Sequence, residues 1–310
     1  VGAVTGTQAG SGLRVSGLAV WGPLIALWLI WGSTYLGIAV LVESMPPMVG
    51  NGFRFLAAAL VLGAILALSR GPASLRVSRA ELRSVSIMGV ALLGVGIGTL
   101  SLAERYVPSG VAALLIAVMP LYVVLLRLRS GDRPNGLTLI GVAVGLAGLA
   151  LMLLPGGTAP VAGSDADVVI WSVAIMFSTF CWAYFSWRSA RYTFPRNSLV
   201  TTTYEMAVAG VALVLAGTLR GERIDLGQIT TESWWAWAYL IAASIGGYSA
   251  FTWLLGHAPL SLTSTYAYVN PVVAVLLGFI VLAEPITRDV LLGLTVVVGG
   301  VVLVVTGERR

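Results

Sequence analysis

Polar residues along this chain are short islands between long apolar runs. The runs fall near 18–41, 47–69, 84–104, 108–128, 135–154, 168–188, 198–219, 234–256, 260–281 and 287–306. Each is about 20 residues, enough at 1.5 Å per residue to cross a hydrocarbon layer of roughly 30 Å. None shows the strict two-residue alternation of a membrane barrel strand. The pattern predicts an all-α membrane protein with about ten transmembrane helices.

The pattern also repeats. Trp31 and Trp182 lie 151 positions apart, as do Pro108 and Pro259, Pro120 and Pro271, Pro134 and Pro285, and Gly148 and Gly299. Arg54 and Glu205, the clearest charges inside apolar runs, keep the same offset. A near-gapless register of this length predicts a duplicated unit. Five spans is an odd number, so two such units in series face opposite ways across a membrane, as inverted-repeat transporters do. The expected organisation is a disordered cytoplasmic tail over 1–16 and a first five-helix repeat over 18–154. An external linker over 155–167 follows, marked by Pro155, Gly156, Gly157, Pro160 and Gly163, and then a second repeat over 168–306. The first run is too long for a signal-peptide core and is read as a membrane helix.

Composition narrows the class. The chain of 310 residues is 58% hydrophobic and 10% charged, with a mean hydropathy of +0.94. That excludes a soluble surface. The net charge of +5 does not predict nucleic-acid binding, because the arginines fall in short loops between apolar runs. All basic residues are Arg. Arg14, Arg70, Arg76, Arg79, Arg83, Arg127, Arg129, Arg133, Arg188, Arg191, Arg196, Arg309 and Arg310 collect on one side; Arg105, Arg220, Arg223 and Arg288 are on the other. The positive-inside rule then places both termini in the cytoplasm. Cys181 and His257 are the sole residues of their kinds, which argues against a disulfide framework, a zinc site or Ser-His-Asp hydrolysis. No Gly-x-x-x-x-Gly-Lys loop is present, so direct drive by ATP is not expected. The expectation is a non-enzymatic protein with no metal and no cofactor. Its partners would be a small-molecule substrate and the lipid bilayer, and it would be a monomer or homodimer.

Candidate chemistry is concentrated in a few spans. Arg54 lies about seven residues into the second span, roughly 10 Å deep, where a charge faces protein or water. It could bond helix-end acids such as Glu43 or Glu104, or contact substrate. Glu205 holds the equivalent place in the inverted half and could bind a cation or carry a proton. The ninth span, Ser261 to Pro271, is the most polar. Ser264, Tyr268 and Pro271 fall near one face and Thr263, Tyr266 and Asn270 near another, with Pro271 expected to kink the helix. Trp31, Thr34 and Tyr35 of the first span, Trp182 and Tyr184 of the sixth, and Tyr248 of the eighth could wall an aromatic cavity, though core packing explains such residues equally well. Gly94, Gly96 and Gly98 in the third span, Gly246 and Gly247 in the eighth, and Gly141 with Gly145 in the fifth are close-packing sites or leave room for ligand or helix movement.

These residues carry a resemblance. Trp31-Gly32-Ser33-Thr34-Tyr35, Arg54-Phe55, Pro108 with Pro120, Asp132-Arg133-Pro134, Tyr268-Val269-Asn270-Pro271 and Glu284-Pro285 occur in an order that resembles the EamA-type permeases of the drug/metabolite transporter superfamily. The resemblance covers nearly all of 18–306. It implies alternating access around a central cavity built from spans 1, 3, 4, 6, 8 and 9, and export of amino acids, other metabolites or drugs. Glu205 departs from the family pattern, where a neutral amide is commoner. The expected function is therefore a secondary active transporter of the bacterial inner membrane exporting small metabolites such as amino acids. Its substrate site is expected to be Trp31, Thr34, Tyr35, Arg54, Trp182, Tyr184, Tyr248, Tyr266, Tyr268 and Asn270, with Glu205 as coupling candidate. The alternative is a proton-coupled exporter of lipophilic cations or drugs that uses Glu205.

Overall fold

The computed structural model describes residues 17–107, 112, 115–153, 163–282 and 288–308. The expected tail, most of the linker including Pro155, Gly156, Gly157 and Pro160, and Arg14, Pro108, Ser109, Glu284, Pro285, Arg309 and Arg310 lie outside these residues.

Ten main helices form the described fold. They are α1 (Gly17–Ser44), α2 (Pro47–Arg70), α3 (Arg79–Ala103), α4 (Met119–Arg129), α5 (Gly136–Leu153), α6 (Asp165–Arg188), α7 (Ser198–Leu219), α8 (Thr231–His257), α9 (Tyr266–Leu282) and α10 (Arg288–Glu308). Seven of these are long and apolar enough to cross a membrane. The chain is a multi-pass, all-α membrane protein.

Polar residues at the loop edges start the helices. Ser78 with Glu81 and Ser164 with Asp167 form reciprocal capping boxes at α3 and α6. Asn197 caps α7 and Thr230 caps α8. Helix α2 begins Pro46-Pro47 and has no local cap. Glu222, from the turn between α7 and α8, takes that role: its carboxylate accepts from Met48 N at 3.0 Å and Val49 N at 2.9 Å.

Helix packing follows the repeat. α1 packs on α8 and α9, while α6 packs on α3 and α4; α2 pairs with α7, and α5 with α10. Adding five to each helix number converts one set of contacts into the other, as an internal two-fold requires. The self-paired helices meet through glycines. A β-carbon on Gly52 would stand 3.0 Å from Gly210 O, and one on Gly148 would stand 2.6 Å from Val297 N. The fifth-span pair Gly141 and Gly145 is packed the same way, against Gly300, Val304 and Tyr268.

Turn contacts sort the helix ends onto two faces. Tyr204 at the start of α7 bonds Leu75 O beyond α2 at 2.8 Å. Arg127 joins Asp132 and Glu308 at 2.7 and 2.8 Å and also bonds Ser261. These contacts lie on the arginine-rich face. Ser44 bonds Ser233 at 2.7 Å on the opposite face, where Glu222 also sits.

Two spans depart from the expected regularity. The ninth breaks at Ser264 and Thr265, between a short helix Leu260–Thr263 and α9. The span is thus broken, as a polar proline-containing run suggests, and Pro271 itself lies inside α9. The hydroxyls explain the break's place: Ser264 bonds Ser261 O and Thr265 bonds Leu262 O, competing with the backbone ladder. Within α3, Gly89–Ile97 is a π-helical stretch, a rare widened form that concentrates at functional sites.

Candidate functional site

A cavity lies among α1, α2, α3, α6, α8 and α9, with Ile116 and Met119 contributing from the fourth span. Its lining in α1 runs from Trp31 toward Ser44, and in α3 from Gly96 toward Ala103. The cavity therefore occupies the half of the protein away from the arginine-rich face, and is called the outer cavity below.

Of the expected site residues, Trp31, Thr34, Tyr35, Arg54, Trp182, Tyr248, Tyr266 and Asn270 line it. Tyr184 and Tyr268 do not, which corrects two expectations by the same geometry. Residues two apart on a helix point to nearly opposite faces. Tyr184 therefore turns away from Trp182 and packs against Phe180, Phe185 and Trp187. Tyr268 turns away from Tyr266 and Asn270, is fully buried against Gly145 of α5, and bonds Val142 O at 3.5 Å. Helical spacing could also have found the lining residues that the sequence reading missed. Ile175, Ser178 and Thr179 precede Trp182 on one face of α6, and Ser244 precedes Tyr248 on α8.

Arg54 is 2% exposed. Its Nη1 donates to Asn51 Oδ1 at 2.7 Å and its Nε to Ser244 Oγ at 3.0 Å. Asn51 in turn donates to Pro47 O at 2.8 Å and Ser101 Oγ at 3.0 Å. Among the described residues no carboxylate pairs with Arg54, so neither Glu43 nor Glu104 fills the part considered from the sequence. The guanidinium is held rigidly by neutral partners at a cavity wall, an arrangement that leaves its charge available to an anion. Two further buried polar atoms, Trp182 Nε1 and Asn270 Oδ1, have no hydrogen-bond partner among the described residues.

The arginine-rich side of the cavity is closed by a layer of rings. Trp31 meets Trp182 edge to face at 5.7 Å and Tyr266 at 4.7 Å, and lies 5.2 Å from both Tyr248 and Phe251. Glycines admit the two indoles. A β-carbon on Gly96 would stand 2.7 Å from Trp182 Cε3, and one on Gly247 would stand 2.6 Å from Trp31 Cδ1. Gly96 and Gly247 are themselves 151 positions apart, like the two tryptophans. The aromatic layer is thus built twice from one plan.

Beyond the layer lies a second, inner cavity. It is lined by Met88 of α3, the turn between α6 and α7, the start of α7 and the end of α8. Glu205 lies there, 5% exposed, with Thr201, Ser198, Thr252, Arg196 and His257 around it. The sequence reading missed this cavity because a folded-back turn, Ser189 to Ser198, forms one wall. Among the described residues, no cluster of His, Cys, Asp and Glu could hold a metal ion.

A ten-helix membrane bundle with an internal two-fold, and a polar and aromatic cavity at its axis, defines a multi-pass transporter. The EamA-like transporter family model matches residues 20–154 and 169–306, and the chain belongs to that family. It is 37% identical to the uncharacterized inner membrane transporter YedA of Escherichia coli (strain K12), over 94% of this chain and 92% of YedA. It is 23% identical to the uncharacterized transporter YoaV of Bacillus subtilis (strain 168), over 90% of this chain and 94% of YoaV. A protein of known crystal structure shares the fold, with a TM-score of 0.74 at 19% identity over 94% of this chain and 99% of that one. The chain is a membrane-embedded transporter of this family.

Proposed function

We propose that this protein is a secondary active exporter of small metabolites, with neutral or aromatic amino acids as the substrate class. It would work by alternating access in the cytoplasmic membrane, with both termini in the cytoplasm. The observation that carries the reading is Arg54, a guanidinium fixed by Asn51 and Ser244 at the outer cavity with no carboxylate among the described residues paired to it. A substrate carboxylate supplies the missing charge through hydrogen bonds of the strong, charge-assisted kind. Asn270 Oδ1 is an acceptor suited to an ammonium, and Trp182 Nε1 a donor. Trp31, Tyr248 and Tyr266 offer ring faces to an apolar side chain. The protein's own aromatic layer acts as the inner gate, and rocking of the repeats would open it as the outer cavity closes.

Counterflow in proteoliposomes tests this reading, with labelled amino acids and a lipophilic cation offered at two pH values. Exchange of amino acids that weakens when Arg54 is replaced by Gln is the expected result. Exchange of the lipophilic cation alone would overturn it in favour of a drug exporter.

A further inference from the structure

The repeat offset places more than Arg54 and Glu205 in register. Asn51 corresponds to Thr202, and Ser101 to Thr252. In the first repeat Asn51 Nδ2 donates to Ser101 Oγ at 3.0 Å, and in the second Thr202 Oγ1 donates to Thr252 Oγ1 at 3.1 Å. The same interhelical bond is therefore made twice, once beside each charge. In the second copy Thr202 donates to Thr252, and Thr252 lines the inner cavity together with Glu205. A carboxylate has two oxygens that together can accept several donors.

Glu205 is the sole acid among the residues lining the inner cavity. Among the described residues it has no ion-pair partner. Arg196 and His257 also line the cavity, but both are exposed and belong to its solvated rim. The His257 ring is occupied as well, its Nδ1 lying 2.8 Å from Trp253 O and its face stacked on Trp253. Gly89 fixes the backbone position of the acid, since a β-carbon there would stand 3.0 Å from Glu205 Cα. A buried carboxylate, held at the floor of a cavity by two packed helices, is a site for a cation carrying several N–H donors.

We infer that the inner cavity is a second ligand site, selective for organic ammonium groups, with Glu205 as the anionic partner and Thr201 and Thr252 as its polar neighbours. The inference rests on the export reading above, which it deepens. The two half-sites have opposite polarity: an amine is recognised on the inner side of the aromatic layer and a carboxylate on the outer side. A zwitterion satisfies both in turn. A purely anionic metabolite would meet the acid at the inner site, and a purely cationic one would meet Arg54 at the outer site.

Binding to the purified protein, read as a shift in thermal midpoint, tests the site without requiring transport. The probes are 2-phenylethylamine, which carries only the ammonium, and 3-phenylpropionate, which carries only the carboxylate. The amine should stabilise the wild type, and Glu205→Gln should weaken its apparent affinity at least tenfold while leaving that of the carboxylate unchanged. Glu205→Asp, which keeps the charge, should retain amine binding. A second measurement needs no variant: carbodiimide modification of Glu205, followed by mass spectrometry, should be slowed by the amine and not by the carboxylate. Amine binding absent in the wild type, or indifferent to Glu205→Gln, would overturn the inference, as would equal protection by both probes. Glu205-dependent amine binding without any amino-acid exchange would remove the export reading and leave this site standing. Amino-acid exchange with amine binding indifferent to Glu205 would do the reverse.

Discussion

Arg54 and Glu205 occupy the same position in the two repeats, yet they lie in separate cavities on opposite sides of one aromatic layer. They form no ion pair with each other. The duplicated backbone supplies two geometrically equivalent places, and the side chains give those places opposite charge. Separation keeps each charge available to a ligand, since a direct pair would neutralise both.

Arg54 should govern affinity for carboxylates. Replacing it with Gln removes a charge-assisted contact worth about 1.5–3 kcal/mol, which predicts at least a tenfold rise in the substrate concentration for half-maximal counterflow. Arg54→Lys should fall between, because an ammonium cannot reproduce the planar fork that reaches Asn51 and Ser244. Unchanged concentration dependence in both variants would exclude Arg54 from the substrate site.

The tryptophan–glycine contacts should behave as a matched pair. Gly96→Ala brings a methyl group against Trp182, and Gly247→Ala does the same to Trp31. Overpacking of this kind costs about 1–3 kcal/mol, and each variant should lose most of its exchange rate. Trp182→Phe should restore room beside Gly96→Ala, so the double variant should exceed the Gly96→Ala single. Simple addition of the two defects in a double-mutant cycle would show that the contact does not set the rate.

Tyr184 and Tyr35 should separate cleanly. Tyr35 lines the outer cavity and Tyr184 packs outside it. In concentration-dependence curves, Tyr184→Leu should leave half-saturation within a factor of two of the wild type. Tyr35→Phe, which removes only a hydroxyl, should shift it. The reverse pattern would mean that the cavity face of α6 has been misassigned.

Glu222 should matter for stability alone. Its carboxylate satisfies two backbone N–H groups at the start of α2, and loss of such a cap costs about 0.5–2 kcal/mol. Glu222→Ala should lower the thermal midpoint of the purified protein by several degrees and leave half-saturation unchanged. A changed affinity with an unchanged midpoint would contradict the capping role.

Much of the fold was legible because its signal is local. The apolar runs for α2 and α7 gave their limits to within a residue, since flanking prolines, arginines and an Asn cap sit at their ends. The ninth span was less legible. Pro271 is the visible breaker, but Ser264 and Thr265 break the helix by bonding their own backbone. Tyr184 and Tyr268 were misplaced by grouping residues by neighbourhood in sequence rather than by helical face.

The sequence by itself determined the membrane class, the number of spans and the inverted repeat. These follow from hydrophobic run length and from a fixed offset, neither of which requires knowing what packs on what. Tertiary structure alone decided that Arg54 binds Asn51 and Ser244 rather than an acid, and that Trp31 and Trp182 meet through glycines of the opposite repeat. It also decided that Glu205 opens into an inner cavity. Apart from the Arg54–Asn51 bond, which lies within one helix, these depend on helices distant in sequence, and side-chain direction across such an interface is set by how the helices cross, which no local pattern encodes.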